Sequence, residues 1–379
     1  MKNPVGIDIQ RPAFSWKMTA TDIKDRNQLQ TAWHIEVASK PDLLVMDKPD
    51  IWNSGKVISN DCNNVIYNGK TLQSDKKYYW RVKVWDKNNL ASEWSETAYW
   101  KTGLFNSGDW KGVWIKDNKP LPGTDSMMYA DIPAQVFRKE FPVHKKVKTA
   151  TLYIGGLGYF EAYINGKRVS NNVLEPGQTD YSKRIFYSAY DVTALLTQNE
   201  NCIGVMLGNG WYNPLPLRMW GRFDLRKALI TGQPAFIAQL NIAFEDGDTE
   251  DVFSDRSWAV TESPVMRNSV YLGEYYDNRK SLPGWNKASF DALGWRTAAI
   301  AEAPSGRLQS QLQPPVVVKD TLAPVNIYKP GNEKYIVDFG RNFGGVIRLK
   351  VKTTEGKVIR VRYGELLYPD GSLNVMTST

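Results

Sequence analysis

Apolar and polar positions alternate along most of the chain at a period of two, and long stretches with a helical apolar repeat are absent. The alternation predicts strands at 12–16, 33–38, 64–67 and 78–85, with a polar turn at 86–90. It returns at 137–141, 153–163, 185–190, 235–242 and 252–258, and a continuous apolar strand is expected at 202–207. The richest stretch is 151–214. Within it Asn165-Gly166 supplies the two positive φ values of a tight hairpin, Pro176-Gly177 marks another turn, and Asp191 opens a one-turn helix. The 202–207 strand stops in Gly208-Asn209-Gly210-Trp211-Tyr212. Two glycines, an amide and two rings at a strand exit read as a built site.

Short strands with turns between them predict an all-β, multidomain chain. Residues 3–104 read as a small sandwich, 105–126 as a linker and 127–299 as a jelly roll. A connector rich in Pro, Gln and Ser follows at 304–324. Residues 310–379 read as the start of a further β-sandwich, with strands at 334–339, 345–351 and 358–363 and a bulged link at 340–345. Two turns, opening at Asp255 and Asp291, each end in a Trp expected to be buried, Trp258 and Trp295. The polar tail running to Thr379 reads as a cut. In 3–104, Leu72 followed by Tyr78-Tyr79-Trp80 and the bend Ala91-Ser92-Glu93-Trp94-Ser95 resemble a fibronectin type III domain, a fold that often serves as a spacer.

Composition adds rings. Aromatic residues are 12% of the chain, with 14 Trp and 19 Tyr. They suit sandwich cores, and they also suit platforms for the apolar face of a sugar. Net charge is +8, yet the densest basic runs are only Lys76-Lys77 and Lys145-Lys146. Without a basic stripe or a binding signature, nucleic acid is not expected as a partner, whereas a mildly cationic surface suits an acidic polysaccharide. Cys62 and Cys202 show no disulfide pattern, and His34 lies in an alternating strand as a structural residue. No apolar run approaches the roughly 20 residues of a membrane span, and no apolar signal core follows Met1. The chain is therefore expected to be cytoplasmic or to have its export signal outside these residues.

A second site segment spans 268–279. Asn268, Glu274, Asp277 and Asn278 offer four side-chain oxygens in one loop, and with backbone and water they suit calcium, which takes six to eight. Alternatively Glu274 and Asp277 pair with Arg279 or Arg218 and pin the loop. At the strand exit Trp211 or Tyr212 would stack on a sugar, with Asn209 as its amide partner; the bland alternative is a tight exit packed by Trp. Asp180-Tyr181, after Pro176-Gly177, reads as a structural turn.

Several stretches taken together carry a resemblance: Asn3 to Asp8, Arg11 to Trp16, 154–169, Asp180-Tyr181, 190–193, 207–212, 271–277, Leu282 to Trp285, Phe290-Asp291, Trp295 and 338–345. In this order they resemble the N-terminal half of bacterial α-L-rhamnosidases, inverting glycoside hydrolases that remove terminal L-rhamnose. The resemblance implies that the jelly roll is the domain that in some members binds L-rhamnose through calcium. Asn209, Trp211, Tyr212, Asn268, Tyr271, Glu274, Tyr276, Asp277 and Arg279 would contact the carbohydrate, and Asn209, Glu274 and Asp277 the possible calcium. Residue 209 is commonly Asp in relatives, so its being Asn weakens a calcium site, and Asn278 stands where Ala is common. The last residues would begin the sandwich before a catalytic (α/α)6 barrel, a downstream domain that carries the acid and base in a periplasmic or extracellular parent. Inverting hydrolysis needs two carboxyls roughly 6.5–9.5 Å apart. The candidates Glu161, Asp180, Glu274, Asp277 and Glu365 show no spacing that pairs any two. Three readings follow: a region recognising rhamnose-containing glycans, a structural β array binding no sugar, and a hydrolase complete in itself.

Overall fold

The computed structural model describes residues 2–378 apart from 21–23, 25, 220, 332 and 333. Thr379, on which the expected cut rests, lies outside them.

The first domain has strands β1 (Val5–Ile7), β2 (Ala13–Phe14), β3 (Gln30–Ala38) and β4 (Trp52–Asn53). It continues with β5 (Val57–Ile58), β6 (Val65–Ile66), β7 (Lys77–Asp86) and β8 (Ala98–Thr102). One sheet runs β1-β8-β7-β3-β4, with β5 also on β3, and the β2–β6 pair forms a second layer. Alternate residues Trp33, Ile35 and Val37 of β3 and Tyr78 and Val82 of β7 close on Phe14 and Val65 of the pair. The Tyr78 hydroxyl accepts the Gln73 N–H at 2.9 Å, the tyrosine corner of immunoglobulin-like sandwiches. Beyond β7 the bend noted in the sequence acts as a strap: Ser95 and Ser92 hydroxyls accept the N–H groups of Val82 and Val84, each at 3.1 Å. Arg81 and Lys83 both stack on the Trp94 ring of that strap.

The second domain begins with β9 (Ile115–Lys116), β10 (Gln135–Val143), β11 (Val147–Leu157) and β12 (Phe160–Ile164). Next come β13 (Lys167–Arg168), β14 (Arg184–Asp191), β15 (Asn199–Leu207) and a small hairpin, β16 (Arg218–Met219) and β17 (Phe223–Asp224). The remainder is β18 (Ala235–Phe244), β19 (Thr249–Phe253), β20 (Ala259–Glu262), the hairpin β21 (Val265–Ser269) and β22 (Gly273–Tyr276), then β23 (Arg296–Thr297), β24 (Ala299–Ile300) and β25 (Arg307–Ser310). Two sheets face each other, β13-β12-β15-β10-β20-β23 and β24-β9-β18-β11-β14-β25, with β19 on β18. Phe137 of one layer meets Phe236 of the other edge-on at 5.0 Å, and Trp258 packs behind Phe236. All three are fully buried, and each contributes roughly 1.5–3 kcal/mol by leaving water.

Two boundaries differ from the sequence expectation. Ile115 pairs with Phe236 and Ile300, so the expected linker 105–126 supplies a strand to the sandwich. β24 and β25 carry the same sheet past residue 299 to Ser310, into the expected connector. Strands of two to four residues are too short to show a period. Trp295 is only half-buried, resting edge-on against Phe290 at 5.7 Å, whereas Trp258 is enclosed as expected.

The first domain is no spacer on a flexible tether. Lys101 of β8, 8% exposed, reaches Asp75 at 2.6 Å and Thr151 of β11. Asp75 also accepts the Tyr153 hydroxyl at 2.6 Å and the Asn241 amide at 3.1 Å. Tyr187 of β14 accepts the Leu104 N–H at 3.1 Å, and Trp110 packs edge-on against both tyrosines. Burial first, and then the Asp75 charge, push the Tyr153 hydroxyl well above its ordinary pKa. The two domains thus share one buried polar seam.

Residues 315–379, with 171–173, form a separate compact unit. It holds the hairpin β26 (Asn326–Gly331) and β27 (Lys334–Asp338) and the pair β28 (Leu366–Leu367) and β29 (Leu373–Asn374). The strands expected at 345–351 and 358–363, and the bulged pair at 340–345, are not paired among the described residues. Val346 is 83% and Val358 71% exposed.

Candidate functional site

The site grows from the turn that ends β15. The Gly208 N–H donates to the Tyr159 carbonyl at 2.8 Å, tying the strand exit to the start of β12. Gly210 follows at φ 50°, and a Cβ there would lie 2.8 Å from the Tyr159 nitrogen, so the backbone crossing requires glycine. This turn separates the next two rings. Trp211 goes to the partly exposed side and meets Tyr271 edge-on at 5.6 Å. Tyr212 goes inward, 6% exposed, edge-on to Tyr181 and packed with Leu157 and Ile185. Tyr212 is therefore a core ring and not a stacking platform, a correction to the sequence reading.

Asn209 is also more structural than expected. Its backbone N–H donates to Asn268 Oδ1 at 2.7 Å and its amide to the Asn268 carbonyl at 2.9 Å. Its Oδ1 accepts from Asn213, whose own Oδ1 accepts from Arg226. This relay fixes the hairpin β21–β22 onto the strand exit. In the hairpin Asn268 lies opposite Glu274, and Ser269 caps the tip that presents Tyr271 and Leu272, 47% and 56% exposed. The amide nitrogen of Asn268 is buried and has no hydrogen-bond partner.

Glu274 faces the neighbourhood of Glu161 on β12. Partial burial of its carboxyl, and then the Glu161 charge, raise its pKa above the ordinary value, although the residue as a whole is exposed. Glu161 accepts the Tyr163 hydroxyl at 2.5 Å and sits 3.3 Å from Arg168. Burial raises Tyr159, and a hydrogen bond from Trp211 opposes it. Trp211 thus meets both Tyr271 and Tyr159, and the hairpin that carries Tyr271 also carries the paired Asn268 and Glu274. Tyr159 and Glu161 were absent from the expected carbohydrate site; Glu161 lies on β12 and Tyr159 in the break between β11 and β12, where the strand expected at 153–163 divides between the two sheets.

The rest of 268–279 serves the loop. Asp277 accepts the Arg279 backbone N–H at 3.1 Å and pairs with its guanidinium at 2.8 and 2.9 Å. The Arg279 hydrogen bonds hold the Asp277 carboxyl down at about 2. Tyr276, 48% exposed, bonds through its hydroxyl to Ser281 at 3.0 Å. Asp277 and Glu274 lie three positions apart along an extended segment, about 10 Å of chain. No cluster of three His, Cys, Asp or Glu occurs among the described residues. Asp180 is spent on Ser182 and Lys183, the structural turn expected of it. No helix among the described residues is long and apolar enough to cross a membrane.

Residues 1–106 match the family described as Rha78A-like, N-terminal immunoglobulin domain. Residues 145–320 match the Alpha-L-rhamnosidase N-terminal domain, and 328–379 the Bacterial alpha-L-rhamnosidase concanavalin-like domain. An alpha-L-rhamnosidase of Formosa agariphila is 33% identical over 97% of the chain, and one of Alteromonas sp. is 36% identical over 97%. The chain spans 40% and 39% of the length of these two curated relatives. The solved structure of alpha-L-rhamnosidase from Dictyoglumus thermophilum superposes with a TM-score of 0.89 at 39% identity, over 99% of this chain and 41% of that one. The Streptomyces avermitilis alpha-L-rhamnosidase complexed with L-rhamnose shares the fold at a TM-score of 0.89 and 24% identity, over 98% of this chain and 51% of that one. With three successive domains matched in order, the chain belongs to the bacterial α-L-rhamnosidase family and carries its N-terminal domains.

Proposed function

We propose that this chain recognises L-rhamnose-containing glycans within a protein that hydrolyses terminal α-L-rhamnosyl residues. In that protein the hydrolysis belongs to a catalytic (α/α)6 domain. The observation that carries the reading is the Trp211–Tyr271 pair, half-open beside the orphaned Asn268 amide and the Glu161–Glu274 carboxylates. Ring faces take the apolar side of a deoxy sugar, and amide and carboxylate groups bond its hydroxyls. The choice of sugar is supported by the relatives, which are alpha-L-rhamnosidases. Calcium is not required by this face, because Asp277 is committed to Arg279 and Asn209 to its amide relay.

Isothermal titration of the chain with L-rhamnose, in calcium and in chelator, tests the reading. Saturable binding of similar strength in both conditions is expected. Binding only with calcium would place a cation between Glu161 and Glu274. No heat in either condition would favour the structural alternative, for which the buried seam between the first two domains speaks.

A further inference from the structure

The first domain carries a second surface of rings and amides, remote in the chain from the face above. A groove of about 550 Å3 lies at the open side of its sandwich, between β4–β5 and β6. That size falls within the roughly 300–1,000 Å3 of small-ligand sites. Its lining joins the indoles of Trp33 and Trp52 to the side chains of Asn53, Asp61, Asn64 and Asn68.

Trp33 is 8% exposed, and its indole N–H is buried without a hydrogen-bond partner. An orphaned buried donor is uncommon enough to require a reason. The neighbouring Trp16 indole N–H donates to Gln30 at 2.9 Å, whereas that of Trp100, outside the groove lining, is also buried without a partner. The rim groups are held in place with hydrogen-bonding capacity left over. Asn53 Oδ1 bonds the His34 ring at 2.7 Å and the Gly55 N–H at 2.9 Å, which leaves its amide nitrogen as a donor. Asn68 Oδ1 accepts from Arg11 at 2.9 Å with the same result. Asp61 uses one carboxylate oxygen on Ser59 at 2.8 Å and keeps the other as an acceptor.

Fixed donors and an acceptor beside two indoles suit a ligand rich in hydroxyls, and a single carboxylate does not suit a polyanion. A peptide adding to the sheet edge would need a run of free backbone, and β6 is two residues long. We propose that this groove is a second carbohydrate site, taking a pyranose unit of a neutral glycan, independent of the Trp211–Tyr271 face. Two sites on one chain would raise avidity for a long glycan.

The test uses the full chain carrying Trp211→Ala, so that the first face is silent, with 15N-labelled indoles. L-Rhamnose, cellotetraose and β-1,4-galactotetraose are titrated to millimolar concentration, and a short Thr-Val peptide serves as comparison. At least one saccharide is expected to shift the Trp33 indole resonance saturably. Asn68→Ala and Asp61→Ala, both at exposed positions, are expected to weaken that binding about tenfold each with unchanged melting temperature. A Trp33 resonance that ignores all three saccharides, or answers only to the peptide, overturns the proposal. So does full affinity in both rim variants. Loss of rhamnose binding at Trp211 with retained Trp33 shifts separates this site from the first.

Discussion

Two clusters of this molecule use the same residue types to opposite ends. At the seam between the first two domains, Tyr153 and Tyr187 are fully buried, and Asp75, Lys101, Thr102 and Leu104 meet their hydroxyls or one another. At the strand exit, Trp211 and Tyr271 are part-exposed, and an amide nitrogen of Asn268 has no partner. Rings, carboxylates and amides occur in both. The difference is exposure: each cluster leaves one buried amide atom without a partner, Asn241 Oδ1 at the seam and Asn268 Nδ2 at the exit, but only the exit leaves ring surface open. A closed cluster holds domains together, and an open one has capacity for a ligand.

The largest effect is expected at the seam. Asp75 sits at φ 55°, a conformation that Asn also tolerates, so Asp75→Asn removes charge without forcing the backbone. It leaves the Lys101 ammonium buried and unpaired, and a loss of about 3 kcal/mol in urea unfolding is expected on the scale of broken buried pairs. Adding Lys101→Met should recover part of the loss, because the stranded charge is gone. If Asp75→Asn unfolds at the wild-type urea midpoint, the seam is not what binds the domains. Rhamnose affinity should be unchanged throughout, since the site lies elsewhere.

Trp211→Ala reverses the pattern. Stability should hold, because the ring is half-exposed, while L-rhamnose affinity falls by about 2 kcal/mol, roughly thirtyfold. Tyr212→Ala should do the opposite and lower stability through a cavity beside Tyr181, with affinity affected only through folding. Calorimetry and thermal melts of the two variants side by side would collapse the distinction if both lost affinity alone.

Neighbouring rings that behave so differently show where sequence reading stops. Part of 151–214 was legible, because Asn165-Gly166 adopts φ values of 51° and 81° in the two-residue turn from Ile164 to Lys167, whereas the single strand expected at 153–163 divides at Gly158, φ 117°, into β11 and β12 of opposite sheets. The side to which each ring of Trp211-Tyr212 turns depends on Gly210 crossing the Tyr159 backbone, a contact between segments some fifty positions apart in the chain. Alternation could not reveal the two-residue strand Ile115–Lys116, which exists only because Phe236 and Ile300 flank it. At 345–351 the pattern of a strand is present, and no pairing is made there among the described residues. Asp277 and Arg279 were legible as a pair, being two positions apart, and the structure uses them that way.

Asn209→Asp tests whether the exit is held by amides or built for a cation. The relay uses the Asn209 amide as a donor to the Asn268 carbonyl. A carboxylate would lose that bond and face the carbonyl, so about 1 kcal/mol of stability should be lost in thermal or urea unfolding. A gain of stability on adding calcium to this variant alone would show that a single charge at 209 converts the relay into a cation site.

The smallest expected effect concerns the two carboxylates of the open face. Glu274 has a folded pKa above the ordinary value, through partial burial and then the charge of Glu161. A raised acid binds protons more readily in the folded state, so its ionisation opposes folding. That penalty is absent below the unfolded pKa, near 4.3, and is complete above the folded one, so stability falls as pH rises through this window. Glu161→Gln keeps an acceptor for the Tyr163 hydroxyl and removes the charge. The Glu274 side-chain carbon should then titrate closer to the ordinary glutamate range by NMR, and the variant should gain slightly in stability at neutral pH, the gain vanishing below the ordinary glutamate pKa. An unmoved Glu274 titration would mean that burial alone sets it, and the open face would then lose its claim to two cooperating carboxylates while keeping its rings.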